Sequence, residues 1–251
     1  MIIFASFIIL AALTFVVKEA RRVVLARNSK DWLLDATGLL VQGIAIPLLQ
    51  ITLIYWLFSL LLPQAKGSLE LSTVPAFLLN FVFVDYLYYW NHRLLHGKTL
   101  WTAHAVHHTA EHLDLFITSR NTLWTSLLII YLWVNGLFIF LLKDPRAFIL
   151  SASITASLDL WRHTSFFFTP DSFAHRVLRV LFITPNEHAW HHSSKQSGKN
   201  FGANLSLWDS LHGTYYSPAK LPQALGIPLK LNITRKLFFP FKEKSSISYG
   251  N

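Results

Sequence analysis

The chain has 251 residues, 53% of them hydrophobic and only 14% charged, a balance far from the soluble globular average that points to a membrane protein. Its 12 histidines stand beside no cysteine, which excludes disulfides, thiolate zinc sites and cysteine-ligated iron–sulfur clusters and leaves imidazole to carry any metal. The formal net charge of +9 comes from Lys and Arg placed next to apolar runs, so it fits an anionic membrane surface and excludes nucleic acid as a partner.

In chain order, residues 1–17 form an apolar run with Lys18, Arg21, Arg22, Arg27 and Lys30 after it. A secretory signal carries its positive charges in front, so the run reads as a retained span whose basic flank is cytoplasmic. A second apolar stretch, residues 36–62, contains Gly43 and Pro47 and is expected to kink. The third, residues 74–90, returns to the basic side and delivers His92 there. Asp85 lies inside it; a carboxylate at membrane depth is costly, and its spacing of seven and eleven residues from His92 and His96 suggests that it orients a site histidine or tyrosine. Residues 122–142 and 145–161 are two further apolar runs joined by Lys143-Asp144-Pro145-Arg146, the short joint of an antiparallel hairpin. Five spans with the amino terminus outside place every histidine cluster on one face.

Those clusters carry the chemistry. Residues three and four apart on a helix share a face, so His92 with His96, and His104 with His107 and His108, each present imidazoles together. The pattern returns as His188-Ala-Trp-His191-His192, with His163 between and Asp159 one turn before it as an orienter of that ring. Nine imidazoles exceed the three or four that one zinc ion takes, which favours two metals. No HExxH is present, and Glu111 and Glu187 stand outside such an arrangement, against a zinc metalloprotease. An all-nitrogen donor set suits iron, zinc, copper or nickel. Tyr88, Tyr89, Trp90, Trp101, Trp124 and Trp190 are candidates for a lipid channel. Residues 173–182 alternate apolar residues with His175, Arg176 and Arg179 and read as a helix lying on the bilayer, with His175 outside the metal set. From Pro218 onward no period emerges, and the tail reads as irregular surface. The sequons at Asn204 and Asn232 fall on the cytoplasmic side and are expected to stay unmodified.

The string Asp85-xxx-Tyr89-Trp90-x-His92-Arg93-xx-His96, then His104-xx-His107-His108, Trp161-x-His163-Thr164, Thr184-Pro185-xx-His188-xx-His191-His192 and Asn200-Phe201-Gly202 to Trp208-Asp209 and Gly213-Thr214-Tyr215 resembles the fatty acid hydroxylase / sterol desaturase superfamily, especially its bacterial sterol desaturase-like branch, to which alkylglycerol monooxygenase is related. The resemblance implies an all-α, multi-span integral membrane bundle of four to five spans with a His-rich di-metal cap on the cytoplasmic face, of the bacterial inner membrane or of the endoplasmic reticulum in a eukaryote. It implies a di-iron monooxygenase, with zinc able to replace iron in purified protein, that uses dioxygen and external electrons to hydroxylate or desaturate a lipid. The nine histidines named above would be its ligands, with Asp85 and Asp159 beside them. The organisation would be residues 1–76 as amino-terminal spans, 77–216 as catalytic domain and 217–251 as an interfacial tail. Many relatives carry Arg-x-His-Pro after the second cluster, where this chain has Arg120-Asn121-Thr122, so His112 is a candidate tenth ligand; His212 replaces a usual Phe and is expected to affect packing only. With no GxGxxG and no cysteine, electrons would need a separate donor protein. Two other readings use the same residues: a metal transporter, and a silent lipid-binding protein that keeps a zinc pair.

Overall fold

The computed structural model describes residues 2–195 and 198–240, and among them the regular structure is helical, with three isolated β-bridges in place of any strand. The elements are α1 (Ile2–Val16), α2 (Lys18–Leu25), α3 (Ser29–Leu61), α4 (73–95), α5 (Trp101–His104), α6 (Thr125–Leu128), α7 (Tyr131–Leu141), α8 (Arg146–Arg162), α9 (Phe173–Leu181), α10 (Pro185–His191), α11 (Leu207–Leu211) and α12 (Ile233–Phe238).

Among the described residues, α3 is the one unbent helix long and apolar enough to cross a membrane, 33 residues with a mean hydropathy of 2.0 in its best window and only 11% of that window buried. Leu48, Ile51, Trp56 and Leu60 project from it uncovered, an outward apolar surface that lipid satisfies and water does not. Asn28 starts the helix by accepting from the Asp31 amide. Pro47 does not break it. The π-helical turns Val41–Ala45 and Gln50–Ile54 lie on either side of that proline, and widened turns are where a helix absorbs a missing amide donor.

The other expected spans are shorter or broken. α1 stops after 15 residues and turns by 96° into α2, whose apolar positions Ala20 and Val24 face inward while its cations face out. Residues 122–142 form two pieces, because the chain leaves helical geometry at Ile129 and Asn91 fills the gap, donating to the Leu128 carbonyl at 3.0 Å and accepting from the Ile130 amide at 3.2 Å. Hydrophobic composition cannot show such a break, since Leu and Ile suit both halves. α4 runs unbroken through a π-helical turn at Leu79–Val84.

The bundle is held by small residues and a polar knot as well as apolar packing. α1 and the start of α4 pack along α8. Gly136 of α7 meets α3 so closely that a Cβ there would stand 2.6 Å from Ile54. Between α4, α7 and α8, buried Asn80 donates to Asn135 at 3.1 Å and accepts from Ser151 and Thr155, the inter-helix polar pairing that apolar surroundings favour. The tail differs from its sequence reading: α12 buries Leu237 against Leu34 and Val106, and the Leu237 carbonyl accepts from Thr122 and Leu123. Residues 241–251 lie outside the described residues.

Candidate metal centre

Nine histidines converge, and they sort into two groups in which every ligand nitrogen lies within 4.8 Å of the others: His92, His96, His104, His108 and His191, and beside them His107, His163, His188 and His192. The sorting follows helix geometry, not sequence blocks. Successive α-helical residues point about 100° apart while those four apart nearly eclipse; through the end of α5 and the 3-10 turn His107–Thr109 that follows, His104 and His108 likewise turn to one group and His107 to the other. For the same reason His188 and His192 turn together and His191 turns away. This corrects the expectation that each HxxHH block faces one way. The groups touch at a seam where the His108 and His192 rings lie 4.6 Å apart.

Main-chain carbonyls fix how the rings face. The Nδ1 of His92 lies 2.8 Å from the Phe201 carbonyl, that of His107 3.1 Å from Arg120, that of His163 2.8 Å from Asp159 and that of His191 2.8 Å from Lys199. A carbonyl only accepts, so each of these Nδ1 atoms carries the proton and each Nε2 presents a lone pair inward. Inside, Nε2 atoms crowd: His92 and His104 at 3.1 Å, His163 and His188 at 2.9 Å, His163 and His107 at 3.4 Å. Nitrogens bound about 2.1 Å from one ion stand roughly 3.0–3.4 Å apart, which these separations match.

Eight imidazole nitrogens, on His96, His104, His108, His188, His191 and His192, are buried with no hydrogen-bond partner. Leaving a buried polar atom unpaired costs on the order of 1–3 kcal/mol, and a cation on the lone pairs removes that cost. Burial pushes His104 and His191 down to about 3, in the case of His191 against the pull of the Lys199 carbonyl. Burial first and neighbouring imidazoles second hold His107, His108, His188 and His192 well below their ordinary range. The rings are therefore neutral, the form that binds metal. The donor set fits two ions of a nitrogen-preferring transition metal.

The loop at 199–202 supplies two of the four carbonyls, and buried side chains hold it and the residues that follow it. Asp209 accepts from the Phe201 and Gly202 amides at 2.8 and 2.7 Å, and a Cβ on Gly202 would meet the Leu205 carbonyl at 2.7 Å. Asn200, at a φ of 55°, donates to the Glu187 and Tyr216 carbonyls. Asp85 accepts from the Asn204 amide and side chain, the Leu205 amide and the Trp208 indole at 2.8–3.1 Å. Asp85 thus reaches no histidine or tyrosine, contrary to the sequence reading, and ties down residues 204–208 after this loop. Asp159 lies where expected, but its carbonyl is the closer partner of His163, its carboxylate standing 3.3 Å away and pairing with Arg162.

Other sequence candidates sort as follows. His112 is exposed and outside both groups, so it is no tenth ligand. Trp101 stands 5.0 Å from His96, and Tyr88 5.4 Å from His92, whereas Trp124 and Trp190 hydrogen-bond the Phe238 and Lys220 carbonyls. His212 packs on the Tyr89 ring at 5.0 Å. His175 lies outside both groups, as expected, and is buried 2.9 Å from Glu187. That glutamate also closes the capping box that starts α10, and its importance was hidden because a Glu three residues after a Thr reads only as a helix start.

Residues 77–214 match the fatty acid hydroxylase family model. The chain belongs to this family. Among its relatives are an ornithine lipid hydroxylase of Rhizobium tropici, 30% identical over 174 residues that make up 66% of this chain and 50% of the relative, and an alkylglycerol monooxygenase of Homo sapiens, 28% identical over 139 residues, 54% of this chain and 29% of the relative. A very-long-chain aldehyde decarbonylase of Oryza sativa is 26% identical over 171 residues, 64% of this chain and 27% of the relative. The chain spans half or less of the length of these relatives. No solved structure matches it. All nine clustered histidines, with Asp85, Asp159 and Asp209, lie inside the span matched by the family.

Proposed function

We propose that this protein is a membrane-bound non-haem di-iron oxygenase that hydroxylates or desaturates a C–H bond of a lipid. The observation that carries the reading is the pair of imidazole groups, in which eight buried ring nitrogens lack a hydrogen-bond partner, within a family whose relatives include proteins named as a lipid hydroxylase and a monooxygenase of alkylglycerols. His92, His96, His104, His108 and His191 would hold one ion, and His107, His163, His188 and His192 the other. Two irons held there would supply the dioxygen chemistry that attacks an unactivated C–H bond. The chain's own contribution is to fix four of the nine rings in advance through the four carbonyls, to keep His104, His107, His108, His188, His191 and His192 neutral by burial, and to exclude water with Trp101, Phe201 and the surrounding shell.

The substrate class we assign is a membrane lipid with an aliphatic chain, presented from the bilayer in which α3 is embedded. α3 and the bent α1–α2 pair would anchor the protein, with the centre on the cytoplasmic face beside the basic flank. Residues 77–216 would form the catalytic unit, residues 1–76 its membrane anchor and residues 217–251 an interfacial tail. Reducing equivalents would come from a separate donor protein.

The test is lipid profiling of cells lacking the protein against wild-type cells and cells carrying His191→Ala. A hydroxylated or desaturated lipid present only with the intact protein, together with dioxygen consumption by iron-loaded membranes, is the expected result. Identical lipid profiles in all three, with no dioxygen consumed, reject the reading.

A further inference from the structure

The metal groups are built from residues 92–192, inside the family-matched span, but one of their four carbonyl anchors is governed by helices outside it. Arg120 accepts the His107 Nδ1 proton on its main-chain oxygen at 3.1 Å. Its guanidinium is buried and gripped on two nitrogens by Asp35 of α3, Nε to Oδ1 at 2.7 Å and a terminal nitrogen to Oδ2 at 2.8 Å, with Asp31 3.2 Å away. Asp35 is 0% exposed and pairs in addition with Arg27, which also donates to Asp114 at 3.0 Å. Asp114 in turn caps the 3-10 turn Leu115–Ser119 by accepting from the Phe116 amide at 2.8 Å. A second observation is independent of charge: Gly38 lies so close to this turn that a Cβ would stand 2.0 Å from the Ser119 carbonyl.

We propose that Asp35, with Arg27, is a positioning pair for the four-histidine metal group: it clamps Arg120 and the turn before it, so that the Arg120 carbonyl holds His107 with its Nε2 toward His163 and His188. The inference rests on the metal reading above and adds that the membrane helices complete the site and do more than anchor it. Buried opposite charges at fork geometry are mutually dependent, since removing one partner leaves the other unpaired in a dry setting. Arg120 is then free to rotate with its carbonyl, and His107 loses the contact that sets its tautomer. The five-histidine group draws its carbonyls from Phe201 and Lys199, which this cluster does not touch.

That separation gives the experiment its readout. Full-length wild type, Asp35→Asn and Arg27→Lys would be purified in detergent micelles, stripped, reloaded with cobalt(II) and titrated with a chelator while the metal content and visible absorption are followed. Loss of an outer hydrogen bond to a liganding imidazole weakens metal binding roughly 10–100-fold. The expected result is two ions in the wild type, one of which leaves Asp35→Asn at 10–100-fold lower chelator concentration while the other keeps its wild-type spectrum and affinity. Arg27→Lys, which keeps the charge but loses the fork spanning Asp35 and Asp114, should show the same single-site weakening to a smaller degree and carries the test if Asp35→Asn fails to fold. Wild-type affinity at both sites in a folded variant, or equal weakening of both, overturns the proposal. A wild type that binds no metal defeats the metal reading itself and is told apart from those outcomes by that first measurement.

Discussion

At the level of single residues, the histidine spacing carried the information and the backbone hid it. His92, His96 and the two HxxHH blocks mark ligands by their spacing, although only the imidazoles four apart share a group and those three apart do not. Their division into a five and a four followed only from how each helix is rotated about its axis. The carbonyls of Phe201, Arg120, Asp159 and Lys199 leave no trace in sequence, since every residue has one. His188 stands 2.9 Å from His163 within the smaller group, so His188→Ala should remove about one of two bound ions and abolish lipid oxidation; metal analysis alongside product assay checks this. His175→Ala should leave metal content unchanged and lower stability by about 1–3 kcal/mol, because it strips a buried Glu187 of a partner. A thermal shift with full metal retention is the expected signature, and loss of metal would place His175 in the site after all.

Helices show where hydropathy reading succeeds and where it fails. The apolar run that became α3 was legible, and it continues past Pro47 as one helix through two π-helical turns. Residues 122–142 were read as one span and are two helices, because the interruption is made by Asn91 of α4, distant in sequence. α9 was legible as amphipathic through Phe173, Val177 and Val180, all exposed, while its buried His175 was not. Two changes test this packing. Gly136→Val drives a branched side chain into Ile54 and should lower stability by about 1–3 kcal/mol, read by thermal unfolding in micelles. Asp209→Asn weakens the grip on the Phe201 and Gly202 amides and should lower metal affinity at the five-histidine group by roughly 10–100-fold, with the other ion unaffected.

Over the whole molecule, the amino-terminal helices and the histidine centre form one unit, joined by the Asp35–Arg120 clamp and by α12 against Leu34. The sequence divided the chain into anchor, catalytic part and tail by hydropathy and motif; contacts between them depend on tertiary placement that no local pattern encodes. The buried neutral rings also give the metal-free protein a pH response. An unfolded histidine takes a proton near pH 6.5, whereas burial holds His104 and His191 neutral down to about 3. Below pH 6.5 the unfolded state therefore binds more protons, and stability falls as pH falls, by up to about 1.4 kcal/mol per pH unit for each such ring. Unfolding temperatures of stripped protein should be level above pH 7 and drop between pH 6.5 and 5, with added metal opposing the drop; a flat profile would mean the rings are already hydrated.

The most direct measurement is the iron content of the full chain purified from iron-supplied cells, compared with His163→Ala and His96→Ala. Two irons per chain in the wild type and about one in each variant is the expected result, the two variants retaining ions with different spectra. A wild-type protein that folds, stays in the membrane and holds no transition metal would contradict the assignment of these histidines.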